Sequence, residues 1–241
     1  MIQFYAPEIE TCHVLPESDS GHCVRVLRMK AGDMIEVIDG RGNRFKCRLV
    51  EPHSKRAVVE IVERERLELP WKNEITVAVA PTKNMDRMEW LVEKLTEIGV
   101  NRFIPMLCSH SERREIKRER LEKIAVSAMK QSLKAVLPEI MPMTPIAEIL
   151  CDVRMASAQR FIAYCDRNVE RKVLAREYTA GRDVLILIGP EGDFTAEEVE
   201  RSIGAGCVPV TLGDNRLRTE TAAMVSADTI HIINQMRDSE I

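Results

Sequence analysis

The sequence predicts an α/β protein in which a small β-rich N-terminal unit precedes a larger part built on a mainly parallel β-sheet. Beyond residue 74, short and nearly continuous apolar segments alternate with amphipathic helical segments. This is the pattern of parallel strands covered by helices on both faces. Before residue 70, apolar and polar residues alternate over short segments, as in strands with one buried face. The stretch 69–73, which contains Pro and Trp, separates the two patterns. We therefore predict domains at residues 1–70 and 74–241.

Three segments of the N-terminal unit have the composition of β-strands. They are residues 34–38, 44–50 and 57–62. Gly40-Arg-Gly42 resembles part of a dinucleotide-binding loop, but it lacks the third glycine and lies between two strands, so it predicts a hairpin turn. A short helix is expected to run through Val24 and Leu27, with Ser18 or Asp19 as its N-terminal cap.

The C-terminal part alternates predicted strands with predicted helices. The strands are residues 75–80, 103–107, 161–164, 184–188 and 208–212, and the helices cover 88–98, 121–128, a segment from 195 onward, and 219–233. Gly99 follows the last apolar position of the first helix, where glycine commonly ends a helix. Thr195 and Glu198 have the spacing of a capping box, which indicates a helix start.

Composition argues against several classes of protein. No apolar segment approaches the roughly 20 residues of a transmembrane helix, and the first residues, MIQFYAPE, lack the basic and apolar regions of a secretory signal. The seven cysteines form no Cys-x-x-Cys and the five histidines no His-x-x-x-His, so we predict neither a disulfide framework nor a metal site. We interpret the chain as a cytoplasmic protein without a membrane partner, whose cysteines are reduced and buried.

Charge is distributed unevenly along the chain. The net charge is −3, yet residues 22–56 hold nine Lys/Arg against four Asp/Glu, and residues 110–134 hold eight against four. Two basic segments on an acidic body favour a local phosphate-binding face, although solvated surface charges would give the same counts. The candidate phosphate contacts are Arg25, Arg28, Lys30, Arg41, Arg44 and Lys46. Aromatic residues make up only 4% of the chain, so RNA would be held by charge and shape more than by stacking.

Two predicted strands end in segments suited to ligand binding. The strand at 184–188 leads into residues 189–193, GPEGD, and the strand at 208–212 leads through Gly213 to a helix start near Thr219. Ligands of open parallel sheets bind beyond the carboxyl ends of strands, and glycine allows close approach to the backbone. The sequence has none of the glycine patterns of Rossmann dehydrogenases, P-loops or α/β-hydrolases.

Taken together, two C-terminal segments resemble the signature loops of a known family. Residues 187–194, LIGPEGDF, and 212–223, LGDNRLRTETAA, are similar to the paired loops of the small-subunit ribosomal RNA methyltransferase E family, which belongs to the SPOUT, or α/β-knot, class. Three upstream segments are also similar: 25–33, 83–100 and 131–139. The chain departs from the family at Asp193, where a second glycine is usual, and at Arg216, where an aliphatic residue is usual.

The resemblance implies a trefoil-knotted SPOUT domain, an N-terminal PUA-like β-barrel that binds RNA, and a homodimer with its active site near the interface. It implies S-adenosylmethionine as cofactor and methylation of uridine N3 in the decoding region of 16S ribosomal RNA, either free or in the assembled small subunit. The residues it places around the cofactor are Cys165, Ile188, Gly189, Pro190, Glu191, Gly192, Leu212, Gly213, Leu217, Arg218, Thr219, Thr221 and Ala222. Lys83 and Arg87 join the candidate RNA contacts.

The chemistry of that reaction assigns roles to two side chains. The sulfonium already carries an activated methyl group, so no metal is needed and positioning dominates. Uridine N3 must lose its proton to become a good nucleophile, and the negative charge then spreads to the flanking carbonyl oxygens. We predict that Glu220 takes the proton and that Arg218 stabilises the anion. The structural alternatives are a loop-bracing ion pair for Arg218 and a helix cap for Glu220.

Two other functions are open at this point. A SPOUT methyltransferase acting on another RNA, such as transfer RNA, would share the same loops. A non-catalytic ribosome-assembly factor would use the RNA-binding unit and leave the cofactor loops silent, although the intact segments 189–192 and 218–221 favour an enzyme.

Overall fold

The computed structural model describes residues 2–165 and 170–238. The chain divides into two compact units, one formed by residues 1–70 with 126–137 and the other by 71–125 with 138–241. The structure thus places residues 126–137 in the first unit, whereas the sequence division at 1–70 and 74–241 places them in the C-terminal domain. They belong to the first unit because Met129 and Ala135 pack against Ile38 in a buried cluster, and because residues 135–137 pair with the turn at 40–42.

Twelve strands and eight α-helices occur among the described residues. The strands are β1 Gln3–Tyr5, β2 Met34–Ile38, β3 Asn43–Glu51, β4 Val58–Arg66, β5 Ile75–Val79, β6 Arg102–Leu107, β7 Glu139–Ile140, β8 Thr144–Pro145, β9 Gln159–Ala163, β10 Lys172–Val173, β11 Val184–Ile188 and β12 Cys207–Thr211. The helices are α1 Ile9–Cys12, α2 Glu17–Gly21, α3 Met85–Ile98, α4 Arg118–Gln131, α5 Ile146–Cys151, α6 Leu174–Glu177, α7 Ala196–Gly204 and α8 Thr219–Asp238.

The first unit contains a four-stranded sheet in the order β1-β2-β3-β4. β1 pairs parallel to β2, and the other two pairs are antiparallel. The alternation in β3 places Phe45, Cys47 and Leu49 in the core of this unit. The predicted hairpin turn at 40–42 is confirmed: it joins β2 to β3, and the Asp39 carboxylate accepts hydrogen bonds from the Arg41 and Asn43 amides at 2.7 and 3.0 Å.

The predicted short helix forms differently. α2 begins after Pro16 without a side-chain cap and continues into a π-helical turn, His22–Val26. Asp19 cannot serve as the cap because it is buried inside the helix and its carboxylate pairs with Lys130 at 2.5 Å. The proline supplies a fixed backbone angle suited to a helix start in place of a polar cap.

The second unit is built on an eight-stranded sheet in which every recorded pair is parallel. The order is β10-β12-β9-β11-β5-β6-β7, with β8 beside β6. All five residues of β11 are buried, and this strand lies between β9 and β5, which confirms the prediction of a mainly parallel sheet covered on both faces. The carboxyl ends of β9, β11 and β12 consequently meet at one edge of the sheet.

Two predicted helix boundaries are confirmed in this unit. α3 ends at Gly99, and α7 begins with the capping box of Thr195 and Glu198. The Glu198 carboxylate also accepts hydrogen bonds from the amide and the hydroxyl of Ser109, at 2.8 and 3.0 Å. Burial acts to raise the pKa of Glu198, but the hydrogen bonds from Thr195 and Ser109 outweigh it and hold this pKa below its usual value.

Membrane helices and thiols can be compared with the sequence predictions. Over 2–165 and 170–238, no helix is both long and apolar enough to cross a bilayer.

The seven cysteines are free thiols, of which Cys23, Cys47, Cys108 and Cys207 are buried. The prediction that all seven are buried is wrong, because Cys12, Cys151 and Cys165 are exposed.

Candidate functional site

A cavity of about 730 Å³ lies at the sheet edge where β9, β11 and β12 end. Three loops and the first turn of α8 form its wall. The lining residues include Arg87, Tyr164, Cys165, Arg171, Ile188, Gly189, Pro190, Glu191, Asp193, Leu212, Gly213, Asp214, Asn215, Arg216, Leu217, Arg218, Thr219, Glu220 and Ala222. Most residues that the resemblance places around a cofactor are thus brought together. Gly192 and Thr221 belong to the same segments but do not lie on the cavity wall.

Hydrogen bonds hold these segments against one another. The buried Thr219 hydroxyl donates to the Gly189 carbonyl at 3.2 Å, which joins the start of α8 to the loop after β11. The Lys83 amide donates to Glu191 at 3.3 Å. A Cβ at Gly189 would lie 2.9 Å from the ring of Phe194, so only glycine fits at this position without movement of that ring. Close packing therefore fixes the backbone that faces the cavity.

Glu220 lines this wall and is largely buried. The residue is only 7% exposed. Its Oε1 lies 3.7 Å from Nε of Arg87, and its buried Oε2 has no hydrogen-bond partner among the described residues. The carboxylate makes no hydrogen bond to the first amides of α8 in this part of the chain, which argues against a purely capping role. Buried polar atoms without a partner are uncommon in proteins, so this carboxylate is a candidate for a functional role.

Arg218 lies beside Glu220 and is exposed at the cavity. Within residues 2–165 and 170–238 it forms no ion pair, so the loop-bracing alternative is not realised there. The cavity wall also carries Arg171 and Arg216 together with Asp193 and Asp214. Charges of both signs therefore face the same space, which suits a ligand that itself carries both signs.

Cys165 is the one thiol that lines the cavity among the described residues. Partial desolvation by the surrounding cavity wall raises the pKa of this thiol and the charge of Asp193 raises it further, while Arg171 and Arg216 act in the opposite direction. The thiol therefore stays protonated at neutral pH. Because the thiolate is the nucleophilic form of cysteine, Cys165 is better suited to shaping the wall than to covalent catalysis.

The predicted RNA contacts separate into paired and unpaired side chains. Arg44 and Lys46 on β3 pair across the sheet with Glu65 and Glu63 on β4, at 2.5 and 2.7 Å. The hydrogen bond that Lys46 donates to Glu63 raises the pKa of Lys46. Arg41 donates to the carbonyl of Pro7 and lies 3.7 Å from carboxylate oxygens of Glu8 and Asp39. Carboxylates thus already neutralise much of this predicted phosphate surface.

Arg25, Arg28 and Lys30 form a more accessible basic segment. All three are exposed, and Arg25 donates to the Ser54 hydroxyl at 3.2 Å. The side chains of Arg28 and Lys30 form no ion pair in the part of the chain that the structure describes. Cations without a competing carboxylate are the better candidates for phosphate contacts.

The two remaining candidate RNA contacts lie in the second unit. Lys83 is exposed and 3.5 Å from Glu112. Arg87 lies on the cavity wall beside Glu220. Arg171 also lines the cavity and donates to the Tyr164 carbonyl at 2.9 Å. The sequence does not predict it as a site residue, because it lies outside both signature loops. Over the described residues, no group of three His, Cys, Asp or Glu is arranged to hold a metal ion.

Comparisons with known proteins agree with this architecture. The model of the RNA methyltransferase domain matches residues 69–231, and that of the RNA methyltransferase PUA domain matches 15–62. The ribosomal RNA small subunit methyltransferase E of Bacillus subtilis is 32% identical over 223 residues, which cover 87% of this chain and 85% of that protein.

Two solved structures are similar over nearly their whole length. A probable rRNA-methyltransferase from Porphyromonas gingivalis is 48% identical, with a TM-score of 0.94, and covers 98% of this chain and 100% of its own. The ribosomal RNA small subunit methyltransferase E from Neisseria gonorrhoeae, solved bound to S-adenosyl methionine, is 26% identical with a TM-score of 0.81, and covers 99% and 98%. With the predicted signature loops meeting at one cavity, the chain belongs to the ribosomal RNA small subunit methyltransferase E family.

Proposed function

We propose that this chain transfers the methyl group of S-adenosylmethionine to N3 of a uridine in the decoding region of 16S ribosomal RNA. The observation that carries the proposal is that Arg218 and Glu220 line one cavity together with both signature loops. The Neisseria gonorrhoeae relative was solved with S-adenosyl methionine bound, which supports the same cofactor for this chain.

The cavity has the properties that this cofactor requires. Its volume of about 730 Å³ lies within the usual range of small-molecule sites. S-adenosylmethionine carries a sulfonium, an ammonium and a carboxylate, and the wall offers charges of both signs. Residues 188–191 with Leu212, Gly213 and Leu217 would hold it through close backbone contact. When bound, it supplies an activated methyl group on sulfur.

Glu220 and Arg218 then have different roles at the uridine. Glu220, whose side chain lines the cavity, accepts the N3 proton. With the cofactor bound, the N3 electron pair would form the bond to the methyl carbon, and the electron pair of the carbon–sulfur bond would pass to sulfur. Arg218 stabilises the negative charge that develops on the flanking carbonyl oxygens. Arg87, 3.7 Å from Oε1 of Glu220, orients the carboxylate. Because N3 is on the Watson–Crick edge, a paired target must first be opened.

Cofactor binding is the first test of this function. We expect S-adenosylmethionine and its demethylated product to raise the melting temperature, by an amount that corresponds to about 2.7 kcal/mol at a hundredfold excess over Kd. NAD and ATP serve as controls and should have much smaller effects. A folded sample that does not respond to S-adenosylmethionine would favour a non-catalytic assembly factor. Mass mapping of the methylated RNA then identifies the nucleotide, and a product in transfer RNA would contradict the ribosomal assignment.

The role of the first unit is tested by the salt dependence of RNA binding. We expect Arg25→Ala and Arg28→Ala to weaken binding and to reduce the slope of log K against log salt by about 0.7 to 0.9 for each phosphate interaction removed. Arg48→Ala is the matched control, since Arg48 lies in the same unit but pairs with Glu60 at 2.8 Å. If Arg48→Ala changed the salt slope as much as the test variants, or if the test variants did not change it, Arg25 and Arg28 would be solvated surface charges without a role in RNA binding.

We extend the proposal to the assembly and the topology that the resemblance implies. These are a homodimer with its site near the interface, a trefoil knot in the second unit, a PUA-like barrel in the first, and action in the cytoplasm. Exposed apolar side chains on α8 support self-association: Ile232 is 48% and Met236 63% exposed. Sedimentation equilibrium of the purified chain measures the oligomeric state directly.

A further inference from the structure

Asp193 has an unusual backbone conformation for a residue with a side chain. Its φ is 61°, in the left-handed region that glycine adopts freely and that Asp tolerates better than most residues. It ends the turn that begins at Pro190, to whose carbonyl its amide donates at 2.9 Å. The Asp193 carbonyl in turn faces Nδ1 of His110 at 3.0 Å. The position is therefore fixed on several sides.

The carboxylate of Asp193 bridges two of the loops that form the cavity. Its Oδ1 accepts the Phe194 amide at 2.9 Å, within the loop after β11. Its Oδ2 accepts the Cys165 amide at 3.0 Å, in the loop after β9. Each oxygen thus holds one amide, and Asp193 and Cys165 both line the cavity. Aspartate makes both contacts because its two carboxylate oxygens are equivalent acceptors, whereas asparagine has a single acceptor oxygen.

We propose that Asp193 is a positioning residue for the cofactor, whose carboxylate ties the loop after β9 to the loop after β11 and preforms one wall of the cavity. This inference rests on the proposed function, because the ligand concerned is S-adenosylmethionine. A preformed wall reduces the ordering that ligand binding must otherwise bring about. Loss of the bridge should therefore weaken binding and leave the chemistry of the bound state unchanged.

The test compares substitutions that separate backbone conformation from hydrogen bonding. Asp193→Gly keeps the left-handed conformation and removes the carboxylate, and Asp193→Asn keeps a single acceptor oxygen. We expect Asp193→Gly to raise the Kd and the KM for S-adenosylmethionine roughly tenfold, or about 1.4 kcal/mol, with kcat at saturating cofactor changed less than about twofold. Asp193→Asn should fall between this variant and the wild type. Calorimetry gives Kd, and methyl transfer into ribosomal RNA gives KM and kcat.

Two further measurements decide whether the bridge itself is responsible. Amide hydrogen exchange without ligand should be faster at Cys165 in Asp193→Gly than in the wild type. Asp214→Gly removes a carboxylate from the same wall without breaking an inter-loop bond, and it should raise KM less. Three results would overturn the proposal. They are a rise in KM for Asp214→Gly equal to that of Asp193→Gly, unchanged amide exchange at Cys165 in Asp193→Gly, and a fall in the kcat of Asp193→Gly at constant KM. A wild-type chain that binds no S-adenosylmethionine would instead overturn the proposed function.

Discussion

Arg218→Ala is expected to lose a factor of about 10² to 10³ in turnover while keeping its fold, which is the usual cost of removing a preorganised charge stabiliser. Arg218 is exposed at the cavity beside Glu220 and pairs with no acid among the described residues. If Arg218 only formed a surface ion pair, its removal would cost about 0 to 1 kcal/mol of stability and would hardly change turnover. A catalytic role and a structural role therefore predict clearly different rates. Single-turnover methyl transfer into ribosomal RNA at saturating cofactor is the measurement.

Arg201→Ala provides the matched control for this variant, because Arg201 is an exposed arginine on α7 outside the cavity. Its turnover should equal that of the wild type. Glu220→Gln refines the assignment, since glutamine keeps the size of the side chain but cannot take a proton. Its rate should fall steeply at neutral pH and recover in part as pH rises, because solvent hydroxide then removes the N3 proton. Near-normal rates in Arg218→Ala and Glu220→Gln would assign the chemistry to other residues, with Lys83 and Arg87 the next candidates.

We expect Gly99→Ala to lower the free energy of unfolding strongly. Gly99 ends α3 with φ 114°, and an added Cβ would lie 2.2 Å from the ring of Trp71. Trp71 is held in place: its Nε1 donates to Asn101 at 3.0 Å, and its ring meets that of His231 edge-on at 4.9 Å. Backbone strain of about 1–3 kcal/mol and overpacking of about 1–3 kcal/mol together predict a loss of roughly 2–6 kcal/mol.

Denaturant unfolding of the variant and of a glycine control measures this loss. Gly204→Ala is the control, because an added Cβ there meets nothing within 4 Å and the residue lies at the end of α7. It should leave the free energy of unfolding within about 1 kcal/mol of the wild type or raise it. If Gly99→Ala matched Gly204→Ala, Trp71 would have to move aside at almost no cost, and the close packing at the end of α3 would not be a constraint.

Much of the second unit could be predicted because its signals are local. Residues 184–188 form an uninterrupted aliphatic run that is typical of a strand buried on both faces, and this is β11. The Thr195 and Glu198 pair marks the start of α7 through a spacing that has one common physical use. The signature loops could likewise be recognised as a site, because they follow strands whose carboxyl ends share one edge.

The features that the sequence could not predict depend on contacts between distant residues. β1 has only three residues, and it exists because Phe4 pairs with Val37, far along the chain. The bridge from Asp193 to Cys165 and the approach of Arg87 to Glu220 also join positions with no fixed spacing. The sequence predicts Arg87 as an RNA contact but does not predict its approach to Glu220, the candidate base.

The interleaving of the two units affects the order in which the protein can mature during synthesis. The ribosome completes residues 1–70 early, but the cluster around Ile38 lacks Met129 and Ala135, and the turn at 40–42 lacks its partners at 135–137, until more than half of the chain has been made. N-terminal domains ordinarily fold first, as independent products of translation. Here the RNA-binding unit must wait for the first strands and helices of the other unit. A nascent chain that ends before residue 137 therefore lacks the packing around Ile38 and the partners of the turn at 40–42, and its first unit is incomplete.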